Sequence, residues 1–238
     1  MLFRSRPIRP PRQDAPSGIR CSTAYQRNTC AIVGIPTGPY VRRPPRATKV
    51  ERREVRCSIS SVRLPIRLDA ARLVLRRYEA ADVKALDGEA ILSIDHIGRF
   101  LPNAKAELLG DRVALIADAR RAFDAGERFA YGIFLPDGSF VGNCGAQRTD
   151  DDELNIGYWV LLEHLRQGYA SEAVRAVTAA GFDAGVRRFF LNCHPANAAS
   201  IAVARSTGFT YLSTEERVDS DGVRYEEMTW ELQPGATT

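Results

Sequence analysis

The sequence is poor in the residues that build a disulfide framework or a structural metal site. Its 238 residues hold five cysteines and three histidines. Cys21, Cys30, Cys57, Cys144 and Cys193 include no pair at CxxC spacing, and His96, His164 and His194 are scattered. This excludes a stapled secreted scaffold and leaves no metal site to expect. An odd cysteine count without a secretory signal favours a reducing compartment, so a cytoplasmic setting is expected. Long apolar runs are missing too. None approaches the ~18 residues that cross a membrane, and the first twenty residues alternate Arg and Pro with no apolar stretch, unlike a signal peptide. No GxGxxG follows a first strand, which argues against a Rossmann-type dinucleotide enzyme.

Acidic residues are scarce in one part only. Residues 1–60 carry 12 Arg and one Lys against Asp14, Glu51 and Glu54, while the remainder carries 20 basic and 26 acidic side chains. The basic balance of the chain therefore belongs to its N-terminal segment. Residues 1–61 also hold eight of the 13 prolines, with no helical or strand period. Such a segment is expected to be disordered, because it cannot bury enough apolar surface to offset its ordering entropy. A basic arm for nucleic acid, an organelle leader and a start assigned too far upstream are the open readings; no Met lies between Met1 and Met228. Residues 62–238 are expected to form one folded domain.

From Leu64 onward the patterns are regular. Arg72 to Arg76 alternates like a strand. Ala80 to Leu92 reads as a helix with Asp82 in its first turn. Leu109, Val113, Ile116, Ala119 and Phe123 recur at helical spacing, ending near Gly126. Phe129 to Leu135 and Phe140 to Gln147 flank the turn Pro136-Asp137-Gly138. Asp150-Asp151-Asp152 marks another turn before a strand over Leu154 to Leu161. A strong helix follows from Ala170 to Gly181, then a short buried strand from Arg188 to Cys193. Ala198 to Thr207 is a helix stopped by Gly208, and residues 209–218 and 225–232 read as a closing hairpin. The order βααβββαβαββ predicts an α/β (α+β mixed) architecture: a mostly antiparallel mixed sheet of about seven strands with about four helices.

One stretch carries chemistry. Gly157 to Val160 is a strand end, and Arg166-Gln167-Gly168-Tyr169-Ala170-Ser171 is a turn into a helix. Helix N-termini present unpaired N–H groups and a partial positive charge to a phosphate, and Gly168 lets a ligand approach the backbone. A capped helix after a tight turn is the alternative reading of these residues taken alone.

This stretch resembles motif A of the GNAT acetyltransferases, and the chain resembles their RimJ/RimL-type branch. Four stretches carry the resemblance: Arg72 to Arg76, Ile156 to Val160, Gly168 to Ala173, and His194 to Ser200 followed by Thr207-Gly208-Phe209. Together they span roughly residues 68–232. The resemblance implies that backbone groups of Tyr158, Trp159 and Val160 pair with the pantetheine arm of acetyl-CoA. It implies that Arg166, Gln167, Gly168, Tyr169 and Ala170, with Ser171, hold the pyrophosphate. Asn197 is expected on the pantetheine side and Ser200 near the thioester sulfur. Glu153 is the nearest candidate base by sequence, although it also reads as a solvated turn carboxylate. Ser200 also reads as a plain first-turn residue beside the N-cap Asn197. Cys193 reads as a small core hydrophobe rather than a nucleophile. The chain departs from the family at two places: Leu165 where motif A opens with Gln or Arg, and Asn155 where many relatives carry Glu. A third feature, Ala204 where many GNATs carry a Tyr acid, fits the branch. Ser200 or Tyr211 would then supply the proton.

The expected function is transfer of acetyl from acetyl-CoA to a primary amine, on a protein N-terminus or a small molecule, by direct attack in a ternary complex. The excess of acid in the folded part favours a cationic acceptor. The alternative is a non-catalytic acyl-CoA-binding module docked to RNA or the ribosome by its basic tail. No membrane contact is expected, nucleic acid only through the tail, and the chain as a monomer or homodimer.

Overall fold

The computed structural model describes residues 62–218 and 222–235. The segment 1–61, expected to be disordered, lies outside the described residues. The strands are β1 Arg67–Asp69, β2 Val74–Arg77, β3 Arg128–Phe134, β4 Phe140–Asp150, β5 Glu153–Val160, β6 Arg188–Cys193, β7 Thr210–Val218 and β8 Arg224–Leu232. They form a single sheet in the order β1-β2-β3-β4-β5-β6-β8-β7. Every neighbouring pair is antiparallel except β5 and β6. A parallel pair needs a crossover rather than a hairpin. Helix α5, Tyr169–Asp183, supplies it.

The mixed α/β class is as expected, with eight strands instead of about seven. The added strand, β1, is three residues long and too short to show a period in sequence. The strand expected over Arg72–Arg76 begins at Val74, because Ala70 N–H closes a turn on the Leu73 carbonyl at 2.8 Å.

The helices depart further from expectation. The single helix expected over 80–92 opens as a 3-10 turn Ala80–Asp82, continues as α1 Val83–Ala85, and widens into a π turn Leu86–Ala90. Asp82 ties its start to β2: its carboxylate accepts from Arg76 at 2.7 and 2.8 Å and from the Glu79 N–H at 2.7 Å. Two unexpected helices follow, α2 Ile94–Gly98 and α3 Pro102–Leu109. Helix α4, Arg112–Ala125, is capped by Asp111, whose carboxylate accepts from Val113 N–H and Ala114 N–H. That cap explains a misassigned stripe. Leu109 closes α3 and Val113 lies in the first turn of α4, so both are exposed. Leu115, Ile116, Ala119, Ala122 and Phe123 form the buried face instead. Gly126 ends α4 in the left-handed region at φ 72°, where glycine has no Cβ penalty. The last helix is α6, Ala198–Ser206.

Two cores result, one on each face of the sheet. Leu154, Ile156 and Leu191 pack with Val174 and Val177 of α5. Trp159 packs with Tyr78, Leu86, Leu108 and Ile116 on the other face. Side chains alternate along a strand. Tyr158 therefore faces α5 and α6, while Glu153 and Asn155 share the Trp159 face. None of the helices among the described residues is long and apolar enough to cross a membrane.

Candidate active site

The parallel ladder between β5 and β6 is short. It runs Glu153↔Arg188, Leu154↔Phe189, Asn155↔Phe190 and Ile156↔Leu191, and no pairing continues beyond it. On its other edge β5 stays paired with β4 as far as Gly142↔Val160. The strands thus part at Gly157, and Tyr158, Trp159 and Val160 present one free backbone edge to the gap. An extended chain can add to such an edge.

The gap leads to the turn before α5. Arg166 (φ 59°) and Gly168 (φ 80°) both adopt left-handed conformations, which curls the backbone N–H groups towards one side. Gly168 is the N-cap of α5, and Glu172 N–H makes the first return bond, to the Gly168 carbonyl at 3.0 Å. The N–H groups of Tyr169, Ala170 and Ser171 precede it, in the part of a helix that has no internal acceptor. Arg72 holds the turn from outside. Its side chain donates to Glu172 Oε2 at 2.8 Å and to the Gln167 carbonyl at 3.0 Å, and its guanidinium lies 4.9 Å from the centre of the Tyr169 ring. Leu165, where motif A has a polar residue, is partly exposed at the end of the 3-10 turn Leu162–His164.

Helix α6 closes the other side of the gap. Asn197 caps it by accepting from the Ser200 N–H at 3.1 Å, which leaves its amide N–H₂ free to donate. Ser200 Oγ and Tyr158 Oη are 2.9 Å apart. Burial pushes the Tyr158 phenol up, with the Ser200 bond opposing it, so the phenol stays protonated and can donate. Cys193 sits beside this pair. Burial raises its thiol, with the polar neighbours Ser200 and Trp230 opposing that rise, and a protonated thiol is a poor nucleophile. Ser171 Oγ lies 3.0 Å from Ser206 Oγ, which links the first turn of α5 to the end of α6.

A family model for the acetyltransferase (GNAT) domain matches residues 72–210, more than half of the chain. The chain belongs to the GNAT acetyltransferases. Among curated relatives it is similar to YkkB of Bacillus subtilis, an uncharacterised protein, at 32% identity over 97 residues. That match covers 39% of this chain and spans 56% of the length of YkkB. It is also similar to YoaA of Bacillus subtilis, an uncharacterised N-acetyltransferase, at 27% identity over 60% of this chain and 81% of YoaA. Among solved structures, Mycobacterium smegmatis RimJ in complex with a CoA disulfide superposes with a TM-score of 0.63 at 21% identity. The superposition covers 73% of this chain and 85% of that one. At that identity the likeness is one of fold.

Within this GNAT domain the residues singled out in sequence fall into three places. Tyr158, Trp159, Val160, Asn197 and Ser200 converge on the gap, and Arg166 to Ser171 form the turn at its end. Tyr211 stands apart, on the edge strand β7. Its hydroxyl lies 2.9 Å from Thr214 Oγ1 and its ring stacks edge-on to Trp230, leaving it half-exposed. Glu153 also stands apart, at the closed start of β5. Its Oε1 accepts from Arg187 at 2.9 Å and from Arg188 Nε at 3.0 Å, and it forms a second, short contact with Arg188. Five residues separate it from Tyr158, about 16 Å along a strand.

One carboxylate near the gap escaped the sequence reading. Glu227 of β8 is buried and adjoins Met228, which pairs with Cys193 at the end of β6. Burial raises its carboxyl above the usual range, although Arg217, donating at 3.3 Å, pulls it down. In sequence it is one of two consecutive glutamates in an alternating strand, and only the register brings it to the splayed end.

Proposed function

We propose that this protein is an acetyl-CoA-dependent N-acetyltransferase acting on a primary amine by direct attack. The observation that carries this reading is continuity: the free edge at Tyr158–Val160 runs into a turn whose N–H groups, at the start of a 15-residue helix, suit a pyrophosphate. Acetyl-CoA supplies the activated acyl group. Its pantetheine adds to the β5 edge and donates to and accepts from backbone groups there, with the Asn197 amide on the far side.

The residues around the gap divide the proton work. The acceptor amine reaches the thioester as a neutral base after Glu227 takes its extra proton, a role that suits a carboxylate whose affinity for protons burial has raised. The nitrogen then bonds to the carbonyl carbon, and backbone N–H groups at the end of β5 stabilise the charge gathering on the oxygen. As the carbon–sulfur bond breaks, Ser200 donates to the leaving sulfur while accepting from Tyr158. The proton shed by the new amide nitrogen returns through solvent to this pair, so the thiol leaves neutral and the Tyr158 phenol ends protonated. The thiol of Cys193, kept protonated, takes no covalent part. Glu153 and Tyr211 have no role in this scheme.

The test is calorimetric titration of the full chain with acetyl-CoA and with NAD, followed on the same sample by thiol release over a panel of amines and N-terminal peptides. Binding of acetyl-CoA with release of thiol is the expected result. Absence of acetyl-CoA binding overturns the proposal. Binding without release for any amine turns the reading to a non-catalytic acyl-CoA module.

A further inference from the structure

On the Trp159 face of the sheet, beside the splayed strands, lies a small depression, with room for about one water-sized group such as an ammonium head, bounded by Thr149, Asn155, Phe190, Asn192 and Thr229. Its polar groups are mismatched. Asn155 Oδ1 and Asn192 Oδ1 are shielded and accept from no group of the protein among the described residues. Gln147 Oε1, next to Asn155 in the β4–β5 register, is equally unpartnered. Asn155 as a whole is only 6% exposed. Amide oxygens only accept, and a buried acceptor without a donor is costly unless a ligand or water supplies one. Several such oxygens, from three adjacent strands on one sheet face, call for a group rich in N–H donors.

The surrounding charge selects a cation. Arg188, which lies 5.1 Å over the Phe190 ring, is already paired with Glu153 and Glu231. It therefore presents little net repulsion. On the side towards the gap stands Glu227, two residues from Thr229 on the same face and about 7 Å away. A ligand can thus set one nitrogen at Glu227 and a second among the amide oxygens.

Resting on the transferase reading above, we propose that this depression seats the second nitrogen of the acceptor, and that the acceptor is a short aliphatic diamine. A monoamine fills only the reactive position. A peptide N-terminus brings carbonyl oxygens of its own into a pocket that is already rich in acceptors.

The experiment uses the full chain at saturating acetyl-CoA. Thiol release is measured with 1,5-diaminopentane, with 1-pentylamine and with a Ser-Ala-initiated peptide. The diamine is expected to exceed the monoamine in kcat/KM by about tenfold or more, the worth of hydrogen bonds to a charged group. Asn155→Leu and Asn192→Leu should each abolish most of that ratio without weakening acetyl-CoA binding. Neither should lower Tm, because each removes an unpaired oxygen rather than a bond. Asn155→Asp, which keeps the acceptor oxygens, should retain the ratio. Equal kcat/KM for the two amines, a preference for the peptide, or a ratio untouched by both leucine variants overturns the proposal. If acetyl-CoA binds but no amine releases thiol, the transferase reading fails. Titration of 1,5-diaminopentane into the CoA-loaded protein then decides the pocket separately: binding lost in the leucine variants supports it, and no binding overturns it.

Discussion

Each end of β5 has a buried glutamate with arginine nearby, Glu153 at its start and Glu227 of β8 towards its open end, and the two ends do opposite things. At its start, Glu153 is matched by Arg187 and Arg188, and Glu231 completes the set across β6. Every charge there has a partner, and the parallel ladder is closed. At its end, the ladder opens, backbone N–H groups face a gap, and Glu227 stays buried with a single arginine at 3.3 Å. The difference teaches that a carboxylate's usefulness depends on what its neighbours leave unsatisfied. A buried acid held by two guanidinium groups is a structural clamp. One held by less is available for a proton.

The largest effect should come from breaking the open end. Glu227→Gln is expected to lower kcat by about 10²–10⁴-fold, the usual contribution of a positioned base, with acetyl-CoA affinity unchanged. Arg217 keeps Glu215 as a partner in this variant, so a folded, inactive protein is the expected product. Steady-state kinetics beside acetyl-CoA titration checks it, and a wild-type kcat would remove Glu227 from the mechanism.

The matching change at the closed end, Glu153→Ala, should do the reverse. It leaves Arg188 with one carboxylate instead of two, at a cost of about 1–3 kcal/mol in stability. Thermal unfolding should report that loss while kcat stays near wild type. A drop in kcat at intact stability would return Glu153 to the active site.

Gly168→Val tests the phosphate turn between the two ends. A side chain at φ 80° costs about 1–2 kcal/mol, so the free turn should relax out of that conformation, and restoring it on binding should weaken acetyl-CoA affinity about tenfold. Equal affinity in a calorimetric titration would mean the turn does not hold the pyrophosphate.

The smallest effect is on pH dependence. The folded protein holds the Glu227 proton more tightly than the unfolded chain does. Its contribution to stability is therefore full below the unfolded carboxylate range and fades as pH rises through the raised folded value. Glu227→Gln should flatten that slope and slightly raise Tm near neutral pH. For activity the sign is opposite: kcat/KM should fall as pH drops through the same value, because the base becomes protonated. A wild-type profile with no acidic limb above the usual carboxylate range would contradict this.

Much of the architecture was legible because its signals are local. Arg188–Cys193 is a short apolar run ended by Pro195, and it forms a strand with those bounds. Gly208 after a helical period, and Pro136-Asp137-Gly138 between two apolar runs, are turn chemistry within a few residues. The region 80–125 was misread because its competing signals are also short-range. Asp111 as a cap outweighed the continuous apolar spacing through Leu109 and Val113, and two short helices had no period long enough to detect. The site divided in the same way. The turn at Gly168 and the cap at Asn197 follow from adjacent residues, whereas Arg72 reaches Glu172 across 100 positions.

By itself, then, the sequence determined the order of elements, the helix N-terminus suited to a phosphate, and the family. These depend on backbone propensity, side-chain period and turn chemistry, which act over a few residues. Only the tertiary structure decided where β5 and β6 part, that Glu153 is clamped while Glu227 is not, and that amide oxygens on one sheet face lack donors. Those depend on register and burial, because hydrogen-bond partners and desolvation are set by residues distant in the chain.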